Sequence, residues 1–224
     1  MQFSKSLAFL VATLATSLTV ARTANPPGNW GVLLFPNFAA LDVFGPIEAL
    51  NLLSETVPLN LSLIAKTLDP VPTQPHVLGE VSNFTQSVVP THTLANAPSD
   101  IEDLRDEIAF IRDTYPRLKY LIAVCTGAWL AADSGVLDGH NATTNKAAWA
   151  ERPVNNTVNW IAHARWVVDG NIWTSSGISA GIDAALAFVG EIYGEGLATD
   201  IANAMEYERN TDPTRDPFAD LYGL

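Results

Sequence analysis

The most informative segment of the chain is Tyr120-Leu-Ile-Ala-Val-Cys125-Thr-Gly-Ala-Trp-Leu-Ala-Ala132. Its apolar run ends at the only cysteine, a Thr-Gly pair follows, and small or apolar residues of good helix propensity come next. This order predicts a strand, a tight turn and a helix, with Cys125 on the turn. The free N–H groups and positive dipole end of a helix start favour a thiolate, so the pKa of the thiol is expected to fall. The thiol is then either an activated nucleophile or an inert buried side chain.

Strand-like and helix-like segments alternate on both sides of this unit. The predicted strands are 31–35, 59–66, 87–94 and the two arms of a hairpin over 164–175, and residues 70–75 form a proline-rich loop. The predicted helices are a segment ending near Leu53, then 101–118, 146–151, 177–191 and 196–209. The alternation predicts an α/β sandwich around a mostly parallel sheet, with sites at the carboxyl ends of the strands.

The amino terminus has the pattern of a secretory signal peptide. Lys5 precedes an apolar run, and small residues favour cleavage after Ala21 or Ala24. Residues 1–24 are therefore predicted to be a signal peptide, residues 25–224 a single domain, and the protein secreted. Four glycosylation sequons agree with this route. They stand at Asn60, Asn83, Asn141 and Asn155.

Composition and spacing exclude several classes of function. A net charge of −12 and a pI near 4.5 argue against binding nucleic acid or an anionic membrane surface. After signal removal no stretch is long enough to span a bilayer. The four histidines lack metal-ligand spacing, and no phosphate-binding loop occurs. We therefore expect no metal and no cofactor, and a small molecule as the partner.

A Gly-x-Ser-x-Gly motif covers Gly177-Ile-Ser179-Ala-Gly181, between a predicted strand and a predicted helix. A serine hydrolase of the α/β type needs an acid and then a histidine after this serine, yet the last histidine is His163. The motif is therefore interpreted as a glycine-rich turn, with Ser179 or Asp183 near the start of the helix.

An acid that could serve Cys125 is Asp42, which follows the first predicted strand unit. It approaches the cysteine if the two strands are neighbours in the sheet, and it could then exchange a proton with the thiol. The alternative is that Asp42 caps the following helix. The residues alone leave both interpretations open.

Taken together, several blocks of sequence resemble the PfpI/ThiJ superfamily, whose fold is that of class I glutamine amidotransferases. They are most similar to its isonitrile hydratase branch, in a version common among fungi. The blocks are Leu41-Asp-Val-Phe-Gly-Pro-Ile-Glu48, Val124-Cys-Thr-Gly127 with Gly135-Val-Leu-Asp-Gly139, Ala142-Thr-Thr-Asn-Lys146 and Thr174-Ser-Ser-Gly-Ile-Ser-Ala-Gly-Ile-Asp183. The resemblance implies a flavodoxin-like three-layer sandwich, usually a homodimer, with a cysteine on a strained elbow.

The resemblance also implies roles for particular residues. Cys125 matches the nucleophile, Thr126 the neighbour whose backbone N–H faces the site, and Asp42 the acid that contacts the thiol. The implied reaction is attack of the thiolate on an isonitrile carbon, followed by hydrolysis to an N-substituted formamide. The residues expected to line the substrate pocket are Gly127, Asn145, Gly177 and Ser179.

Two departures from the superfamily pattern keep other functions open. Many members have a histidine where this chain has Asn145, which disfavours a Cys-His mechanism. The strand and Gly-Gly loop expected near 97–104 are missing, since no glycine lies between Gly79 and Gly127. The alternatives are glyoxalase-like activity on 2-oxoaldehydes, or a catalytically impaired homologue that acts as a binding or redox protein.

Overall fold

The computed structural model describes residues 26–73, 84–94, 104–154 and 157–224. The predicted signal peptide, Asn83, Asn155 and residues 97–103 lie outside these ranges. The strands are β1 (Asn29–Leu33), β2 (Asn60–Ala65), β3 (Val71–Pro72), β4 (Ser87–Val88), β5 (His92–Thr93), β6 (Leu121–Val124), β7 (Asn141–Ala142), β8 (Asn159–Trp160), β9 (Trp166–Asp169) and β10 (Ile172–Ser175). The helices are α1 (Ala40–Ser54), α2 (Arg105–Thr114), α3 (Gly127–Asp133), α4 (Ala180–Tyr193), α5 (Glu195–Ala204) and α6 (Pro217–Leu221), with 3₁₀ turns at Tyr115–Arg117 and Trp149–Glu151.

The described strands form two sheets of three strands each, in the orders β1-β2-β5 and β6-β10-β9. The β1–β2, β2–β5 and β6–β10 pairs are parallel, and the β9–β10 hairpin is antiparallel. Two short ladders, β3–β4 and β7–β8, complete the strand pairing in these ranges. The predicted mostly parallel α/β architecture is confirmed, but in the described residues it is divided into two halves.

Alternating side chains of β6 and β10 show the three layers. Ile122 and Trp173 face a core built with α1, α4 and α5. Their sequence neighbours Ala123 and Ile172 face a second core built with α3 and the end of α2. Since successive strand side chains point to opposite faces, this sheet carries helices on both sides.

Phe188 on α4 connects the two halves of the fold. Its ring is fully buried and makes edge-to-face contacts with Trp30 on β1, Tyr120 before β6 and Trp173 on β10, at centroid distances of 5.4, 5.0 and 5.2 Å. Each such pair contributes about 0.5–1.5 kcal/mol beyond the area that it buries. One helix therefore packs against strands of both sheets.

Several element boundaries differ from the sequence predictions. The third predicted strand is two short strands, because Pro90 cannot donate to a ladder, and β3 lies inside the predicted 70–75 loop. The helix predicted over 146–151 is only a 3₁₀ turn. Helix α5 ends at Ala204 instead of 209, and soon afterwards Glu206 adopts a left-handed φ of 50°. Helix α6 was not predicted.

No helix among the described residues has the length and apolar character needed to cross a membrane.

Two glycines allow α1, α4 and β6 to approach one another. A Cβ atom built on Gly45 of α1 would lie 2.7 Å from Cγ1 of Ile182 on α4. A Cβ atom on Gly181 would lie 2.7 Å from Cγ1 of Val124, the residue before Cys125. Since Cβ atoms do not normally come so close to another carbon, glycine is required for this packing.

The Gly181→Ala variant is expected to lower the free energy of unfolding by about 1–3 kcal/mol, because the added methyl group overpacks the α4–β6 contact. Gly196→Ala in α5 is the matched control, since a Cβ atom there meets nothing within 4 Å. This control should be neutral or gain up to about 1 kcal/mol through better helix propensity. Urea denaturation measures both values, and equal effects would contradict the proposed close packing.

Candidate active site

Cys125 lies between β6 and α3 with a left-handed backbone, at a φ of 57°. Its N–H group donates to the carbonyl oxygen of Ser175 on β10 at 3.2 Å, and its own carbonyl oxygen accepts from Oγ1 of Thr144 at 2.8 Å. A non-glycine residue in this region is strained and needs surrounding contacts to hold it there. The predicted strand–turn–helix elbow is therefore present, with its backbone bonded on both sides.

Three N–H groups donate to the sulfur of Cys125. One is the side-chain amide of Asn145, with Nδ2 3.2 Å from Sγ. The other two are the backbone N–H groups of Thr126 and Ile178. Each stabilises negative charge on the sulfur, as donors do around an oxyanion. Thr126 and Asn145, which the resemblance assigned to the site, thus lie beside the sulfur, and so does Ile178, which was not predicted.

The geometry at Gly177 and Ile178 brings the third donor into place. A Cβ atom on Gly177 would lie 2.6 Å from Nδ2 of Asn145, so only glycine leaves room for the amide that binds the sulfur. Ile178 has a φ of 37°, which is unusual for a β-branched residue. Strained backbone therefore occurs at the nucleophile and also at one of its donors, and such clusters are typical of functional sites.

Asp42 is the third residue of α1 and is not its N-cap. That position belongs to Ala39, and the helix has no side-chain cap. The charge of the half-buried Asp42 acts on the thiol of Cys125. In the described residues β1 and β6 are not paired, so the acid does not arrive through neighbouring strands. It arrives because α1 packs against α4.

The pKa of the Cys125 thiol is raised above its ordinary value. Burial is the largest cause, with the residue only 5% exposed, and the charge of Asp42 is the second. The three N–H donors lower the pKa but do not outweigh these two effects. The prediction of a lowered pKa is therefore wrong. It considered the position of Cys125 at the start of a helix, but not its burial or the carboxylate that another helix places nearby.

The remaining predicted pocket residues, Gly127 and Ser179, are not among the groups that act on the thiol. A Cβ atom at Gly127 would meet nothing within 4 Å, so crowding does not require a glycine there. Ser179 precedes α4, and its hydroxyl accepts a hydrogen bond from Nη2 of Arg165 at 3.4 Å. Asp183 accepts from Nε of Arg165 at 2.5 Å instead of capping the helix. The Gly-x-Ser-x-Gly segment is a turn at the start of α4, as the turn interpretation expected.

Two groups that touch Cys125 were missed by the sequence analysis. Thr144 had a visible signal, because it lies in the block beside Asn145. Ile178 contributes a backbone N–H, which has no side-chain signature in any sequence. Only the Gly177 beside it indicated an unusual turn at this place.

None of the three histidines in the described ranges is among the groups that act on the thiol. The three described histidines have other partners on or near the surface. These are Thr91 for His92, Asp169 for His140 and Leu224 for His163. Within the described ranges no group of three or more metal-ligating side chains is arranged to hold a metal ion.

Comparison with known proteins identifies a family and individual proteins that are similar to this chain. The profile of the DJ-1/PfpI family matches residues 95–191. An isonitrile hydratase of Pseudomonas putida is 31% identical over 191 residues, which cover 79% of this chain and 77% of that enzyme. The transcriptional regulator GbdR of Pseudomonas aeruginosa is 29% identical over 122 residues, but these cover 53% of this chain and only 33% of the regulator.

Solved structures show the same fold. A ThiJ/PfpI family protein from Pseudomonas syringae superposes with a TM-score of 0.65 at 24% identity, over 91% of this chain and 83% of the other. Drosophila melanogaster DJ-1beta superposes with a TM-score of 0.63 at 15% identity, over 80% of this chain and 98% of the other. The flavodoxin-like fold class expected from the resemblance is thereby confirmed.

The rate of Cys125 alkylation by iodoacetamide is expected to rise with pH to a midpoint above that of the urea-unfolded chain. The reason is that the pKa of the thiol is higher in the folded state than in the unfolded state. The thiol therefore contributes fully to the free energy of unfolding below the unfolded-state pKa, and this contribution is lost as pH rises through the folded-state pKa. Mass spectrometry of timed samples gives both midpoints. A folded midpoint below the unfolded one would contradict the structure.

The Asn145→Asp variant is expected to raise the Cys125 midpoint by about one further pH unit, because it loses an N–H donor and adds a negative charge. The variant keeps the oxygen that accepts from the N–H of Ala148 at 3.0 Å, so the local turn can persist. Asn203→Asp, at an exposed position on α5, is the matched control and should leave the midpoint unchanged. The same alkylation series measures both variants, and an unshifted Asn145→Asp midpoint would exclude the donor role.

Proposed function

Because the chain belongs to the DJ-1/PfpI family, we propose that it is a cysteine-dependent hydratase that adds water to an isonitrile and releases an N-substituted formamide. The proposal rests on the surroundings of the Cys125 sulfur: three N–H groups donate to it, and the charge of Asp42 acts on it. The similarity to the P. putida isonitrile hydratase supports the choice of reaction.

The first step forms a bond between sulfur and carbon. The raised pKa keeps Cys125 protonated near neutral pH, so a base must accept the proton as the sulfur attacks. Asp42 is the carboxylate whose charge acts on this thiol, and it takes the proton and passes it to the isonitrile carbon. The product is a thioimidate, R–N=CH–S–Cys125, which contains all the atoms of the isonitrile and the thiol.

The second step consumes water. A water molecule adds to the thioimidate carbon, the nitrogen gains one proton of that water, and the carbon–sulfur bond then breaks. The hydroxyl proton returns to the sulfur through Asp42, which leaves R–NH–CHO and the free thiol. The donors from Asn145, Thr126 and Ile178 stabilise the sulfur while it carries negative charge, both when it attacks and when it leaves.

A second candidate is a catalytically impaired protein of the same fold that binds ligands. The specific observation in its favour is the thiol itself, which is 5% exposed with a raised pKa and is therefore a slow nucleophile in the resting state. The partial similarity to a transcriptional regulator supports a non-enzymatic role in the same family. Glyoxalase-like chemistry has less support, because Asn145 occupies the place of a base and cannot accept a proton near neutral pH.

We further propose that the protein is secreted after removal of residues 1–24 and acts as a homodimer. The composition of the amino-terminal segment supports the first point, together with the exposed sequon residues Asn60 and Asn141. The superfamily resemblance supports the second.

Incubation with cyclohexyl isocyanide is expected to yield N-cyclohexylformamide, detected by gas chromatography with mass spectrometry. Cys125→Ser should lower kcat/KM by at least about a thousandfold, because it removes the nucleophile. Asp42→Asn should lower kcat by about 10²–10⁴, because it removes the group that moves the proton. His92→Gln, at an exposed residue on β5, is the control and should retain full activity.

Equal rates for Cys125→Ser and the unmutated protein would overturn the proposal. Lactate formed from methylglyoxal, with no formamide, would favour the glyoxalase-like alternative. A folded protein inactive on both substrates would favour the ligand-binding protein.

A further inference from the structure

The last part of the chain, residues 207–224 and here named the carboxy-terminal segment, lies beyond the residues matched by the family profile, which ends at 191. It is fastened by buried charges to two loops. One loop carries Asn145 and the other carries Ile178, and both groups donate to the sulfur of Cys125. The segment contacts Lys146, Asp183 and Arg165, which neighbour or hold these two loops.

The first fastening joins Asp216 to Lys146, the residue after Asn145. Nζ of Lys146 lies 3.7 Å from Oδ2 of Asp216, and it donates to Oγ1 of Thr143 at 2.5 Å and to the carbonyl oxygen of Thr144 at 3.1 Å. Lys146 is 3% exposed and Asp216 is 5% exposed. Lys146 therefore connects the carboxy-terminal segment to the Thr-Thr-Asn loop.

The second fastening joins the segment to Asp183, whose carboxylate binds Nε of Arg165. The other carboxylate oxygen accepts from the hydroxyl of Tyr207 at 3.1 Å and from the backbone N–H of Asn210 at 2.8 Å. The backbone N–H of Arg165 also donates to the carbonyl oxygen of Pro213 at 2.7 Å. Three contacts thus connect this buried ion pair to the carboxy-terminal segment.

Arg165 also forms hydrogen bonds with the loop that contains Ile178. Its Nη2 donates to Oγ of Ser179, the residue after Ile178, at 3.4 Å. Its carbonyl oxygen accepts from the N–H of Ser176 at 2.8 Å, so the loop is held on both sides of Ile178. The strained φ of 37° at Ile178 requires constraints of this kind.

Burying these charges carries a desolvation cost. Stability alone therefore does not explain why charged residues occupy these positions. Replacing a buried ion pair by well-packed apolar residues is often neutral or stabilising. The buried charged residues of the described ranges are Glu107, Lys146, Arg165, Asp183 and Asp216. All but the first belong to the two fastenings. Desolvation lowers the pKa of Lys146 to about 8, which is a measure of the cost of burying it.

We propose that the carboxy-terminal segment is a positioning element for the nucleophile. The Lys146–Asp216 pair places the amide of Asn145 against the sulfur. The Arg165–Asp183 pair places the backbone N–H of Ile178 there. The inference rests on the proposed function only for the identity of the substrate. The effect on the pKa of the Cys125 thiol does not depend on that identity.

The test measures the pH midpoint of Cys125 alkylation in Lys146→Met and in Asp183→Asn. Each variant is expected to weaken one donor and to lower the alkylation rate about tenfold at a pH below the midpoint, which corresponds to a rise of about one pH unit. The control is Arg209→Met. It breaks the ion pair of Arg209 with Glu195, which ties the same segment to α5 and does not reach either loop.

The proposal is overturned if the two variants are folded by circular dichroism and keep the midpoint of the unmutated protein, or if the control shifts it equally. Should either variant fail to fold, Asp216→Asn and Tyr207→Phe replace Lys146→Met and Asp183→Asn respectively. They preserve side-chain volume, and an unshifted midpoint in them has the same meaning. Because no isonitrile is used, a shifted midpoint supports the positioning role even if the protein hydrates no isonitrile.

Discussion

The left-handed backbone of Cys125 is the constraint on which the site depends. Such a conformation costs about 1–3 kcal/mol in a non-glycine residue and persists only when neighbouring contacts hold it. Here Ser175 of β10 accepts the N–H of the cysteine, and Thr144 donates to its carbonyl oxygen. The parallel pairing of β6 with β10 sets the first contact, and the Thr-Thr-Asn loop sets the second. Strand pairing and loop placement must therefore both be correct before the sulfur meets its donors.

The thiol shows a balance between opposing electrostatic effects. Burial and the charge of Asp42 favour the neutral thiol, while three N–H groups favour the thiolate, and the first pair of effects is larger. A resting thiol protected in this way resists unspecific oxidation and alkylation, because the thiolate is the reactive form. In the proposed mechanism its reactivity depends on proton transfer to Asp42, which couples the cysteine on the elbow to an acid on a different helix.

The support of the site comes from long-range packing. Phe188 of α4 contacts aromatic residues attached to both sheets, and glycines 45 and 181 let α4 lie close to α1 and to β6. The same packing brings Asp42 to the cysteine although β1 and β6 are not paired in the described residues. On the other side, buried ion pairs hold the two donor loops. The apolar core thus places the acid, and the buried polar contacts place the donors.

The α/β class, the elbow at Cys125 and the order of most strands and helices could be predicted from the amino-acid sequence, because they follow from local apolar patterns and turn residues. The resemblance to a known superfamily added Asn145 and favoured the acid role of Asp42 over its role as a helix cap. Three properties could not be predicted without the folded structure: the direction of the pKa shift of the thiol, the donor role of Ile178, and the attachment of the loops through Arg165 and Lys146. These properties depend on burial and on contacts between residues far apart in the chain, such as Lys146 and Asp216, and a local pattern does not specify which distant group will be its neighbour.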